Sequence, residues 1–204
     1  MRRYLFWLLL GTVSGLLITS AVILLNRPYT PRGSLIDPPV PAEPFTLTDG
    51  RGETFNLSEQ RGSLVVIFFG FTACPDVCPA SLSDMKRVHD RLAKEPGMVE
   101  RVKFVFITVD PDRDTPEKTG KYVSAFSPDF IGLSGSEEEL EPVWKSFGVY
   151  RELHKDSPDD TVYTVDHSAW MYLIDQDGNL RLTYTFGTPV DHLLSDIRYL
   201  LKQG

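Results

Sequence analysis

A continuous apolar segment followed directly by two cysteines is the feature that most constrains the fold. Residues 64–69 carry only apolar side chains, which is typical of a strand that is covered on both faces. Cys74 and Cys78, the only cysteines of the chain, come next, and apolar residues at helical spacing run from about Cys78 to Leu92. If Cys74 lies in the first turn of this helix, both thiols share one helix face. They can then form a disulfide or bind one soft metal ion, and the helix N-terminus favours the thiolate.

The remaining pattern predicts further strands and helices. Strands are expected over residues 45–48, 54–57, 102–109, 130–133, 161–165, 169–174 and 180–186, and helices from about residue 115 and over residues 137–147 and 189–202. A strand–helix–strand unit that leads into a β-hairpin and a terminal helix fits a thioredoxin-like α/β fold, in which a strand delivers a cysteine motif to the first helix. Here an N-terminal hairpin precedes that fold, and the helix and strand between residues 116 and 149 are expected to be an insertion.

The N-terminal segment predicts a membrane anchor. After Arg2 and Arg3, residues 4–25 form a run of 22 residues without a charge. At a rise of about 1.5 Å per residue, such a helix spans a hydrocarbon core of roughly 30 Å. Two arginines before the run and one after it favour a cytoplasmic N-terminus. We therefore expect residues 1–26 to be an uncleaved single-pass transmembrane helix, residues 27–44 a proline-rich tether, and residues 45–204 one domain.

Composition and location limit the classes of function. The formal net charge of −7 argues against nucleic-acid binding, which requires a basic surface. The predicted orientation places the domain on the outer face of the membrane, where disulfides and metal–thiolate sites both persist. The two N-terminal arginines and the lack of a transit-peptide-like extension favour a bacterial protein.

The cysteine pair by itself leaves several interpretations open. Three residues separate Cys74 from Cys78, whereas the ordinary redox motif has two, and the longer spacing leaves room for an ion. A structural disulfide is the simplest alternative. Asp110 ends a predicted buried strand, and it either satisfies backbone N–H groups of a turn or supports the ligands of the site or handles a proton there. Asp166 precedes His167 and either orients its ring or belongs to a turn.

Several motifs in the same order resemble the Sco/SenC family. They are Gly-Phe-Thr at 70–72 with Cys-Pro-Asp-Val-Cys-Pro at 74–79, Val-Asp-Pro-Asp-Arg-Asp-Thr-Pro at 109–116, Phe-Ser-Pro-Asp-Phe-Ile-Gly-Leu at 126–133, and Val-Asp-His-Ser at 165–168. The resemblance covers about residues 43–203. It implies a membrane-anchored, thioredoxin-like copper chaperone that assembles the dinuclear copper site of cytochrome c oxidase. The ligands that it implies match Cys74, Cys78 and His167, and two thiolates with one imidazole suit both copper(I) and copper(II).

Two functions follow from these expectations. A copper chaperone, which need not be an enzyme, would pass its ion to the copper-site subunit of the oxidase and receive it from an upstream donor. The alternative is a thiol–disulfide oxidoreductase, in which Cys74 or Cys78 attacks a disulfide of the acceptor and the other cysteine resolves it. An upstream thiol reductant would then be a partner. A peroxiredoxin-type peroxidase and an inert disulfide are weaker alternatives, and loss of His167 separates the first two functions.

Overall fold

The computed structural model describes residues 2–25, 29–157 and 163–203, and the chain forms two compact units. The first unit ends at Thr30 and contains helix α1 (Arg2–Leu25). Within the described residues, no helix is both long enough and apolar enough to cross a membrane. The anchor over residues 1–26 therefore stays a prediction. Residues 26–28 of the predicted anchor and tether, and residues 161 and 162 of a predicted strand, lie outside the described residues.

The second unit begins at Pro31 and is a mixed α/β domain. Its strands are β1 (Ser34–Pro41), β2 (Thr46–Asp49), β3 (Thr54–Asn56), β4 (Leu64–Gly70), β5 (Val102–Thr108), β6 (Ile131–Ser134), β7 (Arg151–His154), β8 (Thr164–His167), β9 (Trp170–Ile174) and β10 (Asn179–Thr185). Its α-helices are α2 (Val77–Leu92), α3 (Pro116–Ser124), α4 (Glu137–Ser146) and α5 (Val190–Leu201).

Eight of these strands form one sheet in the order β1-β10-β9-β4-β5-β6-β2-β3. Strands β4, β5 and β6 are parallel, whereas β9 runs antiparallel to β4. In the register of β4 and β5, Gly70 lies opposite Thr108, so the carboxyl ends of the two central strands meet at one edge. The loops that follow these two strands are consequently neighbours, and this edge carries the candidate site.

The core surrounds β4, in which all seven residues are buried. This agrees with the prediction that residues 64–69 form a strand covered on both faces. Helix α2 turns its apolar stripe toward the core, and it also contacts α5. The buried residues of that stripe include Leu82, Met85, Val88 and Leu92. The apolar residues from whose spacing the helix was predicted therefore form the face that packs against the core.

Part of the segment predicted as a tether belongs to the folded domain. Residues 34–41 form edge strand β1, which pairs antiparallel with β10. Prolines are tolerated there because an edge strand leaves N–H positions without a ladder partner, and the register shifts between Leu35 and Val40, around Pro38 and Pro39. The buried carboxylate of Asp196 holds the start of this strand by accepting the backbone N–H of Gly33 at 2.8 Å.

The predicted insertion is part of the main sheet. Strand β6 pairs with β5 on one side and with β2 on the other, so it joins the predicted N-terminal hairpin to the central strands. Strand β7 was not expected from the sequence. This strand pairs with β8 in a separate two-stranded sheet, in which Arg151 lies opposite His167. We refer to β7 and β8 together as the histidine hairpin.

Candidate metal centre

Cys74 lies in the turn before α2, not in the first turn of the helix. The helix begins at Val77, so Cys74 and Pro75 precede it. The Sγ atom of Cys74 instead accepts the backbone N–H of Cys78 at 3.4 Å. The formal N-cap residue, Asp76, makes no side-chain capping bond. The sulfur of Cys74 therefore serves one of the unpaired N–H groups at the start of the helix.

The two thiols have opposite acid–base properties. The side chain of Cys78 donates to the sulfur of Cys74 and, together with backbone N–H groups, lowers the pKa of Cys74 to about 5. The same bond and burial raise the pKa of Cys78. Cys74 is half-buried, whereas Cys78 is fully buried. At neutral pH the pair therefore consists of an accessible thiolate and a protected thiol.

Gly70 makes room for the buried thiol. A Cβ atom at position 70 would lie 2.9 Å from the Sγ atom of Cys78 and 2.9 Å from the ring of Phe106. Neither neighbour can withdraw easily, since Phe106 belongs to the core and Cys78 is enclosed by the first turn of α2. Gly70 belongs to the motif at 70–72 that resembles the family, but its close approach to Cys78 is not visible in the sequence.

His167 brings an imidazole nitrogen to the thiols. It ends β8, and its Nε2 atom lies 3.7 Å from the Sγ atom of Cys78. Its Nδ1 atom lies 3.1 Å from the carbonyl oxygen of Ser168, and a carbonyl only accepts, so Nδ1 carries the proton. Burial lowers the pKa of His167, which keeps the ring neutral. The rings of Phe71 and His167 meet in a T-shaped contact with their centroids 5.7 Å apart, and the unprotonated Nε2 lies toward the sulfur of Cys78.

The two predicted supporting aspartates have different partners. The buried carboxylate of Asp110 accepts the hydroxyl of Tyr163 at 2.5 Å and the Nε–H of Arg113 at 2.5 Å. Asp110 thus binds Tyr163, the residue directly before β8. Asp166 is exposed, and its carboxylate lies 2.9 Å from Nε2 of His154. The Nδ1–H of His167 donates to the carbonyl oxygen of Ser168 and not to either aspartate, and the supporting roles of Asp110 and Asp166 stay predictions.

Asp114 holds the cysteine loop, a role that the sequence did not reveal. Its buried carboxylate accepts the backbone N–H of Thr72 at 2.8 Å, the hydroxyl of Thr72 at 2.5 Å and the hydroxyl of Thr108 at 2.9 Å. The side chain that caps α3 belongs to Thr115. Asp114 therefore fastens the segment before Cys74 to the end of β5.

The donor atoms suit a soft metal ion. Thiolates and an imidazole are the ligands that such ions prefer. Zinc in proteins forms bonds of about 2.3 Å to sulfur and about 2.0 Å to nitrogen. The sum of two such bonds is longer than the 3.7 Å between the Sγ atom of Cys78 and the Nε2 atom of His167, so both atoms can bind the same ion. Across the described ranges, no three cysteine, histidine, aspartate or glutamate side chains are already arranged as a metal site.

Fold and site together define a class of protein. An α/β domain that presents a thiolate, a thiol and a neutral imidazole at the ends of its central strands is a thiol-based metal-binding or redox domain. The SCO1/SenC family model matches residues 36–202, and the chain belongs to this family. A SCO2-like protein of Rickettsia prowazekii is 43% identical over 135 residues, which cover 66% of this chain and 64% of that relative. The match thus spans less than two thirds of the relative's length.

Solved structures confirm the predicted mixed α/β, thioredoxin-like Sco fold. Arabidopsis thaliana ScoI with copper bound superposes with a TM-score of 0.71 at 35% identity, covering 80% of this chain and 99% of that chain. BsSco, in which a disulfide switch was identified, is a member of the Sco family of cytochrome c oxidase assembly proteins. It superposes with a TM-score of 0.64 at 26% identity, covering 84% of this chain and 99% of that chain.

Proposed function

We propose that this protein binds one copper ion through Cys74, Cys78 and His167 and delivers it to, or prepares, the dinuclear copper site of cytochrome c oxidase. The observation that carries the proposal is the Nε2 lone pair of His167, which faces the sulfur of Cys78 at 3.7 Å beside the thiolate of Cys74. The copper-bound Arabidopsis relative supports the choice of metal. Copper(I) is satisfied by thiolates, whereas copper(II) benefits from the imidazole, so one site can accept both oxidation states.

Binding has a defined proton balance. Cys74 is already a thiolate at neutral pH, and the tautomer of His167 leaves Nε2 free. Cys78 carries the proton that must leave before its sulfur can bind the ion. One proton is therefore released per copper ion. Release of the ion to an acceptor reverses the balance, because Cys78 takes a proton again as its bond to copper is exchanged for a ligand of the acceptor.

Spectroscopy of the full chain tests the ligand set. The reduced protein is loaded with one equivalent of copper(II), and the sulfur-to-copper charge-transfer band and the nitrogen hyperfine coupling are recorded. We expect both in the wild type, loss of the nitrogen coupling in His167→Ala, a weaker sulfur band in Cys74→Ser, which keeps the sulfur of Cys78, and loss of that band when Cys74→Ser and Cys78→Ser are combined. His192→Ala is the control, since His192 lies on α5. A nitrogen coupling that persists in His167→Ala would contradict the proposed ligands.

The proposal includes a membrane location. Residues 1–26 would hold the domain on the outer face, near the copper-site subunit and near an upstream copper donor. The motivating observation is the run of 22 uncharged residues. We expect the full chain to stay with membranes after an alkaline carbonate wash and to be digested by protease added outside the cell. A variant with Leu16→Arg and Leu17→Arg is the control, and release of the wild type by carbonate would refute the anchor.

The asymmetric thiol pair favours a second candidate, thiol–disulfide exchange. The thiolate of Cys74 attacks one sulfur of an acceptor disulfide and displaces the other as a thiolate. Cys78 then loses its proton and attacks Cys74, which releases the acceptor as a dithiol and leaves a Cys74–Cys78 disulfide. An upstream dithiol must supply two electrons to restore the pair. Trapping of a mixed disulfide by Cys78→Ser, with unchanged exchange in His167→Ala, would support this activity, and no exchange in the wild type would exclude it.

A further inference from the structure

The histidine hairpin stands apart from the main sheet. Strands β7 and β8 pair only with each other in the described part of the chain. The position of His167 relative to the cysteines therefore depends on the short connection to β9, which begins at Trp170, and on side chains that fasten this hairpin to the rest of the domain. Residues that face each other across two strands share one face of the ladder, and the residue opposite His167 is Arg151.

Arg151 binds the end of β5. Its Nε–H donates to the carbonyl oxygen of Val109 at 2.5 Å, and its guanidinium lies over the ring of Trp144 at 4.6 Å. Its Nη1 atom lies 2.9 Å from the carboxylate of Glu137. Only 13% of the Arg151 side chain is exposed, and Trp144 is buried. The side chain is thus held on several sides by the body of the domain.

The partners of Arg151 are themselves fixed. The indole N–H of Trp144 donates to the carbonyl oxygen of Thr108 at 3.0 Å, so two successive carbonyls at the end of β5 are bound by this stacked pair. The N–H of Val109 donates to the carbonyl of Gly70 at 2.8 Å. Gly70 is the residue that makes room for Cys78. Hydrogen bonds therefore connect Arg151 through Val109 to Gly70, the residue beside the sulfur of Cys78.

We infer that Arg151 is a positioning residue that holds the ring of His167 against Cys78. It acts through the hairpin and does not bind the metal. The inference rests on the proposed function for its copper readout, but its geometric part does not. Without the bond to Val109 and the stacking on Trp144, the hairpin keeps its own ladder and loses its attachment next to His167. The cysteines keep their own support from Asp114.

The first test uses the reduced, copper-free full chain and NMR. The wild type should show cross-peaks between the rings of His167 and Phe71, whose centroids lie 5.7 Å apart. We expect these peaks to be lost in Arg151→Ala, while those between Phe45 and Phe55 persist as an internal control of the fold. Arg101→Ala is the matched control, because Arg101 also donates to a backbone carbonyl, that of Leu201 at 3.1 Å, far along the chain from the site.

The second test measures copper affinity in both oxidation states. Loss of a group that orients a ligand typically lowers metal affinity by about 10- to 100-fold. We expect that loss for copper(II) in Arg151→Ala and a much smaller one for copper(I), which the two thiolates retain. Should Arg151→Ala not fold, Arg151→Lys replaces it. Lysine keeps the charge but not the planar fork, so a smaller loss in the same direction is expected.

The outcomes separate the inference from the proposed function. If the wild type binds no copper, the proposed function fails, and the NMR contacts still decide the role of Arg151. Suppose that the wild type binds copper. The inference is overturned if Arg151→Ala retains the His167–Phe71 cross-peaks and binds copper(II) as tightly as the control variant Arg101→Ala. Equal losses for copper(I) and copper(II) would also overturn it, since they would indicate damage to the whole site.

Discussion

Replacement of Asp114 by alanine tests whether a buried carboxylate supports the cysteine loop. The substitution removes the acceptor for the N–H of Thr72 at 2.8 Å and for the hydroxyls of Thr72 and Thr108. It also removes an ion pair with Lys118, whose side chain is 47% exposed. Each of these bonds ends on an ionised group, and the carboxylate itself is completely buried. Asp114→Asn retains an acceptor and a donor of the same shape but loses the charge.

The bonds set the expected magnitude. The exposed ion pair with Lys118 contributes at most about 1 kcal/mol. Hydrogen bonds to a charged group contribute about 1.5–3 kcal/mol each and are not additive. The hydroxyl oxygen of Thr108 still accepts the N–H of Asp110 at 2.9 Å, but its buried O–H loses the carboxylate acceptor, as does the N–H of Thr72. We expect Asp114→Ala to lower the free energy of unfolding by about 3–5 kcal/mol and Asp114→Asn by about 1–2 kcal/mol.

Urea denaturation and thiol alkylation measure the two consequences. The midpoint should fall in the order wild type, Asp114→Asn, Asp114→Ala, and the pKa of Cys74 should rise as its loop is released. Asp191→Ala is the control for loss of a carboxylate, because the Asp191 side chain is 77% exposed and forms a surface ion pair with Arg91. The carboxylate does not stabilise the cysteine loop if Asp114→Ala lowers the free energy of unfolding no more than Asp191→Ala does. The same conclusion holds if Asp114→Ala and Asp114→Asn lower it equally.

Three further predictions concern the thiols. Alkylation of Cys74 by iodoacetamide should follow a titration with a midpoint near pH 5, because the thiolate reacts and the pKa of Cys74 is lowered to about 5, while Cys78 stays protected. A midpoint near pH 8.5 would contradict the bond between the two side chains. Gly70→Ala should destabilise the fold by about 1–3 kcal/mol in thermal denaturation, because the added methyl group meets Cys78 at 2.9 Å. Gly15→Ala, whose methyl group meets no atom within 4 Å, is its control. The copper(I) affinity should rise about tenfold per pH unit near neutrality, since Cys78 alone must lose a proton, and a pH-independent affinity would refute this balance.

The elements that the sequence predicted well are those with a one-dimensional pattern. Strand β4 is apolar throughout, β5 is apolar from Phe104 to Ile107, and α2 carries an apolar stripe, so burial is visible in the local pattern. Strand β7 (Arg151–His154) has a single apolar residue, Leu153, and its partner strand begins ten residues later. Strand β1 contains three prolines, a composition that is typical of an extended tether. Strands β7 and β1 are extended because they pair with β8 and β10. This long-range pairing leaves no local pattern in the sequence.

The same distinction applies to the site. The two cysteines and their place after a buried strand are local features, and the resemblance supplied His167. The supports are long-range: Asp114 binds Thr72 across 42 positions, and Arg151 binds Val109 across 42 positions. Gly70 matters only because Cys78 and Phe106 approach it in space. A sequence can therefore indicate which atoms react, whereas the residues that place them become visible only after the chain is folded.

The end of β5 connects these supports. Asp114 fastens the cysteine loop to it, and Arg151 fastens the histidine hairpin to it, from opposite directions along the chain. The bond from Val109 to Gly70 links this segment to the strand that delivers the cysteines. The sulfurs come from α2 and the turn before it, and the imidazole comes from the histidine hairpin, yet both parts are bound to the same segment. We therefore expect substitutions within residues 108–114, which contribute none of the three proposed donor atoms, to change the distance between those atoms.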